Sequence, residues 1–141
     1  MPTLRCPSYR SSSASSNSII FTSHQLETFA SSCYEALGLP LPDAKLLANS
    51  LVQADLWGHP SHGILRTFWY GARFQTKATK AITHIETVMD AGALALIDGN
   101  DGVGQVITQY AMKQAIEKAK IHGIGAISVR NSGQLVLKKE S

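Results

Sequence analysis

Cysteine is scarce in this 141-residue sequence: Cys6 and Cys33 stand alone, without the density of a disulfide framework or partners at zinc-ligand spacing, so no metal site is expected. Aromatic residues make up only 7%, and the formal charge of +3 comes from scattered groups: Lys113, Lys118 and Lys120 share their segment with Glu117, and Lys138 and Lys139 adjoin Glu140. Without a basic stripe interleaved with aromatics, nucleic acid is excluded as the expected partner. Long hydrophobic runs are missing too. The longest are of the order of ALALI at 93–97, against the roughly 20 apolar residues a bilayer-crossing helix needs, so no membrane partner is expected. Acid is absent before Glu27. The opening stretch carries Arg5, Arg10 and many serines but no apolar core of a secretory signal, so residues 1–18 read as a disordered, Ser-rich tail that proteolysis would trim first. An acid-free, serine-rich composition also suits an organellar transit peptide. The expected location is cytoplasmic, with mitochondrial targeting by the tail left open.

What remains is ordinary globular sequence, 44% hydrophobic with a mean hydropathy of −0.02, and enough for one domain or one small domain plus part of another. Thr22 followed by Gln25 fits a capping box, opening a helix that runs to about Leu37 before Gly38. A second helix is expected from about Asp43, with Ala44, Leu47, Leu51 and Ala54 on one stripe, and ending at Gly58. A third should run from about Ser61 to Phe74, placing Ile64, Leu65 and Phe68 on an apolar side and His62, Arg66 and Arg73 on another. After residue 80 the period changes. HIETVMDAGALALIDG, with its DAG turn at 90–92, predicts a hairpin of strands near 84–89 and 93–98. The loop DGNDGVGQ at 98–105 leads into a long helix with Val103, Val106, Ile107, Tyr110 and Ala111 as its apolar stripe, stopping at Gly123. IGAISV at 124–129 reads as a buried strand.

The chemistry is concentrated in ADLWGHPSHGILR, residues 54–66, which sets His59, Ser61, His62 and Arg66 close together. A helix starting near Ser61 would put His62 and Arg66 four apart on one face. An arginine fork beside an imidazole that titrates near neutrality suits a small carboxylate substrate with an adjacent oxygen to protonate or deprotonate. A solvated Gly/Pro/Ser loop is the plainer alternative, and a metal module using His59, His62 and His84 lacks ligand spacing. Gly99, Gly102 and Gly104 do not spell GxGxxG. They read as flexible backbone at a helix N-terminus, whose free amides could still receive a phosphate.

Taken together, ADLWGHPSHGILR, ALALIDGNDGVGQ, AMKQAIEKAKIHGIG and VRNSG at 129–133 resemble the malate/L-lactate dehydrogenase family, also that of L-sulfolactate and ureidoglycolate dehydrogenases, in collinear order from about Phe21 to Leu135. The resemblance implies an α/β fold, in which an N-terminal helical segment precedes the first part of a mixed-sheet, non-Rossmann NAD(P)-binding domain. It implies a disordered tail at 1–18, a helical domain with the GHPSHG motif at 19–79 and an incomplete cofactor-binding domain at 80–141. On matching positions, His62 is the acid/base histidine, Ser61 the serine beside it and Arg66 the substrate-carboxylate arginine. The cofactor is NAD or NADP, the substrate a small 2-hydroxy or 2-oxo acid, and the assembly a homodimer. Asp98, Gly102, Gly104 and Gln105 match a structural or cofactor-adjacent block, and Trp57 stands where many relatives carry arginine. The departures lie at the end. Gln134 occupies a histidine position, and LVLKKES lacks the glycines that follow it in relatives, so the chain reads as cut off partway through its nucleotide-binding domain. By itself it is expected to show no dehydrogenase activity. The alternative is a non-catalytic fragment that at most associates with a full-length homologue.

Overall fold

A computed structural model describes residues 19–133, so the expectations for residues 1–18, Gln134 and the closing LVLKKES lie outside the described residues. The described chain begins with helix α1 (Ser23–Ala36), α2 (Leu41–Leu56), a 3-10 turn (Pro60–His62) and α3 (Arg66–Gln75). Strands β1 (Glu86–Ala91) and β2 (Leu94–Gly102), helix α4 (Gly104–His122) and strand β3 (Ala126–Ser132) complete it. This is the expected order of three helices followed by β, β, α, β. None of the described helices is long and apolar enough to cross a membrane.

The capping box forms as expected: the Gln25 amide donates to Thr22 Oγ1 at 3.2 Å, and the Thr22 amide donates back to Gln25 Oε1 at 2.9 Å. α2 starts two residues earlier than expected. Pro42 sits within its first turn, where a missing N–H leaves no intrahelical bond unmade. Its stripe is buried together with Ala48 and Val52, and Ala44, Leu47, Ala48 and Leu51 form one cluster with Ala30 and Tyr34 of α1 and Tyr70 and Phe74 of α3. Val103, just before α4, is buried in the same cluster, so the helical core reaches into the glycine-bearing segment.

β1 and β2 pair antiparallel as expected, Ala91 opposite Leu94, with one register shift between Thr87 and Met89, but the turn falls at Gly92 and Ala93 because Asp90 and Ala91 of the expected DAG turn are paired in β1. β3 lies parallel to β2, Leu94 opposite Ala126 and Asp98 opposite Arg130, giving a mixed three-stranded sheet in the order β1, β2, β3. α4 connects the parallel pair and buries Ile107 and Ala111 against Ile97, with Ile85, Ile127 and Val129 around them. Two readings need correction. β3 is not buried: Ile127 and Val129 are half-buried while Ala126, Ser128 and Arg130 are exposed, the alternation of a strand at the sheet edge with one face covered. The glycine block is also not a flexible loop. β2 continues to Gly102, and the left-handed backbone falls on Asn100 and Asp101 instead. Gly99 serves close packing, since a Cβ there would press on Ile107 Cδ1 and the Asn131 carbonyl.

Asp98 ties the parallel strands together. Its buried carboxylate accepts from the Asn100 amide at 2.8 Å, from Arg130 Nε at 2.7 Å and from Asn131 Nδ2 at 3.0 and 3.1 Å. The Asn100 amide, then the Arg130 bond, hold its pKa below the ordinary 3.8 despite burial. A depressed carboxylate contributes stability that is whole above its unfolded pKa and is lost as pH falls through its folded one. The urea midpoint should therefore drop on acidification below about pH 4. Asp98→Asn should lower the midpoint at neutral pH and flatten that acid limb; parallel limbs in the two proteins would remove Asp98 from the account.

Candidate functional site

The motif loop is built from the end of α2. Trp57 closes the helix and Gly58, at φ +78°, turns the chain with a backbone that side chains rarely adopt. The His59 amide then donates to the Ala54 carbonyl at 2.8 Å, folding the loop back on the helix that precedes it. Pro60–His62 makes one 3-10 turn, with the His62 amide on the His59 carbonyl at 2.9 Å. The expected continuous helix from Ser61 does not form. At Gly63 the backbone swings to ψ −154°, and α3 begins only at Arg66.

Asp55 is the cause of that break. Its Oδ2 accepts from the Ile64 amide at 2.7 Å, drawing residues 63–64 down onto α2. Only a residue without Cβ fits between them, because a Cβ on Gly63 would collide with the Asp55 carboxylate. Asp55 is the second residue of the motif run, eight before Gly63, and its role is invisible to helical spacing because it acts across a loop.

His62 and Arg66 are consequently not neighbours on one helical stripe. Ser61 links them. Its Oγ lies 3.0 Å from His62 Nδ1, and its carbonyl accepts from Arg66 Nε at 2.7 Å. The serine thus holds one nitrogen of the imidazole, leaving Nε2 outside that bond, while Arg66 keeps its two terminal nitrogens outside the Ser61 contact. His59 is exposed at the loop's start. Of the expected apolar side of the third helix, Ile64 packs on the core and the other two residues do not. Leu65 and Phe68 are 77% and 87% exposed, and the buried residues are Tyr70 and Phe74.

Arg66 and Arg73 both stand over the ring of Trp69, with guanidinium carbons 5.6 and 4.9 Å from its centroid. Arg73 is fixed elsewhere as well, donating to Thr79 Oγ1 at 3.0 Å and to the Ala78 carbonyl at 3.2 Å. Trp69 meets Tyr70 edge to face at 5.1 Å, and Tyr70 Oη accepts from Gln105 Nε2 of α4 at 2.8 Å. Burial raises the Tyr70 pKa, opposed by the Gln105 bond and by the two arginines, which keeps the phenol protonated. Trp69 was the second residue missed by sequence reasoning, although its position three after Arg66 and four before Arg73 carries the signal.

The α4 N-terminus does not fit a dinucleotide phosphate. Val103 and Gly104 are buried, the Val103 amide donates to Thr83 Oγ1 at 3.1 Å, and Gly133 packs over Gly102 and the Gly104 amide. Thr83 and Gly133 thus crowd the start of α4. Asp98, Gly102, Gly104 and Gln105 are occupied in strand pairing, close packing and the Tyr70 bond. Among the described residues no group of three or more His, Cys, Asp or Glu could hold a metal ion, so the metal module has no ligand set there; His84 is paired with Glu86 at 3.1 Å.

The helical segment feeding a mixed sheet is shared with solved dehydrogenases. Malate dehydrogenase from Pyrococcus horikoshii OT3 superposes with a TM-score of 0.79 at 38% identity, covering 82% of this chain and 33% of that one. Sulfolactate dehydrogenase from Methanocaldococcus jannaschii gives 0.78 at 35% identity, covering 81% and 33%. Residues 21–137 match the model of the malate/L-lactate dehydrogenase family, and the chain belongs to that family. It is 40% identical over 108 residues to malate dehydrogenase of Pyrococcus abyssi, which covers 77% of this chain and 30% of the relative. With hydroxycarboxylate dehydrogenase B of Escherichia coli K12 the identity is 37% over 112 residues, covering 79% and 31%. The chain spans about a third of the length of these relatives.

Replacing Gly63 by alanine tests how the loop is held. The new Cβ must displace the Asp55 carboxylate from the Ile64 amide, and losing a hydrogen bond to a charged group costs about 2 kcal/mol. Urea denaturation should show that loss for Gly63→Ala and a similar one for Asp55→Ala, while the double variant should be far from additive; additive losses would separate the two residues.

Proposed function

We propose that this chain supplies the acid/base and carboxylate-holding part of a dehydrogenase that interconverts small 2-hydroxy and 2-oxo acids, malate and lactate among them. The observation that carries this reading is the Ser61 joint, which fastens an imidazole and a guanidinium to one residue. NAD or NADP is the hydride carrier the reaction needs. In this reading residues 19–79 carry the acid/base site and residues 80–141 begin the cofactor-binding part, within a homodimer in the cytoplasm.

Each side chain has a defined task. The terminal nitrogens of Arg66 pair with the substrate carboxylate, already charged in the ground state. With Nδ1–H donated to Ser61 Oγ, neutral His62 presents Nε2 as a base and takes the hydroxyl proton as the C2–H bond gives up its hydride. In reduction the imidazolium returns that proton to the 2-oxo oxygen. Ser61 Oγ, 3.0 Å from Nδ1, fixes the ring.

The test places residues 19–133 in Pyrococcus horikoshii malate dehydrogenase in place of its corresponding third, and follows reduced cofactor with malate and lactate. In an active hybrid, His62→Ala should lower kcat by about a hundredfold or more. Arg66→Ala should act chiefly by raising KM. Unchanged kcat in the histidine variant would sink its acid/base role.

A further inference from the structure

We propose that Trp69 is a positioning residue, whose indole face holds the Arg66 guanidinium in the orientation that receives a substrate carboxylate. The proposal rests on the reading of Arg66 given under Proposed function. Arg66 has a long side chain on the first residue of α3, and a single bond from Nε to the Ser61 carbonyl leaves rotation about that contact free. Trp69, one helical turn on, removes that freedom by placing an aromatic surface 5.6 Å from the guanidinium carbon. The ring is itself immobilised. Arg73, pinned by Thr79 and Ala78, lies 4.9 Å from the same ring, and Tyr70 meets it edge to face while bonded to Gln105. A path of fixed contacts therefore runs from α4 through Tyr70 and Trp69 to Arg66.

The charges explain why the arrangement favours an anion. Two guanidinium groups around one indole repel each other across a partly buried surface, where screening is weaker than in open water. Arg73 spends Nε and one terminal nitrogen on the protein. A carboxylate drawn to this field finds Arg66, whose two terminal nitrogens form the fork that bidentate pairing requires.

The full 141-residue chain is tested with oxamate, a small carboxylate carrying an adjacent carbonyl. The sequence holds two tryptophans, so in Trp57→Phe protein the emission reports Trp69 alone. Adding Arg66→Met to that protein should change Trp69 emission, because it removes the stacked cation; identical spectra would overturn the proposal. Calorimetric titration with oxamate should show affinity falling about tenfold in Trp69→Leu and returning to within about threefold in Trp69→Phe, which restores an aromatic face. Equal affinity in Trp69→Leu and the unsubstituted chain would overturn the positioning role while leaving Arg66 as the carboxylate site. No oxamate binding by the unsubstituted chain, or binding unchanged in Arg66→Met, would overturn the carboxylate role of Arg66 and this role of Trp69 with it.

Discussion

Burial of α2 among α1, α3 and α4 is the constraint from which the rest follows. Leu47, Leu51 and Val52 are wholly enclosed, each worth roughly 1.5–3 kcal/mol on leaving water, and Ala44 and Ala48 keep the neighbouring surface low enough for close approach. A helix fixed along its length delivers its last turn to a definite place. Asp55 and the Ala54 carbonyl both belong to that turn, and both hold the motif loop. The position of the Ser61–His62 turn is thus inherited from the core of the helical segment, although Ser61 itself is exposed.

The parts of the fold legible in the sequence are those written as period or punctuation. Thr22 with Gln25, the Ala44–Ala54 stripe, the hairpin's Gly92 and Gly123 after α4 each state a local rule that the surrounding packing does not contradict. What could not be read is what depends on tertiary contacts, whether the partner is near or far along the chain. Leu65 and Phe68 have helical spacing suited to burial, but the Gly63 break rotates α3 and sends them outward. IGAISV is apolar enough for a central strand, and its place at the edge is set by which strands lie beside it.

The candidate site divides along the same line. His62, Ser61 and Arg66 are conspicuous as residue types in a short run, and the geometry brings all three to one turn by a route different from the expected one. Asp55 was hidden in that run because its effect on Ile64 is a tertiary bond made by residues close in sequence. Trp69 lies between the helical interior and the two arginines, joined to the first by Tyr70 and to the second through its ring face.

The glycines of DGNDGVGQ carry the most general lesson about this fold. In a nucleotide loop, glycine admits a phosphate to a helix N-terminus. Here Gly99 and Gly102 admit protein: Ile107, the Asn131 carbonyl and Thr83 occupy the space a Cβ would need, and Gly133 lies over the start of α4. The same block carries Asp98, whose bonds to Arg130 and Asn131 pull β3 against β2. Close packing at that point joins the helical core, through Val103, to the sheet, through Ile107.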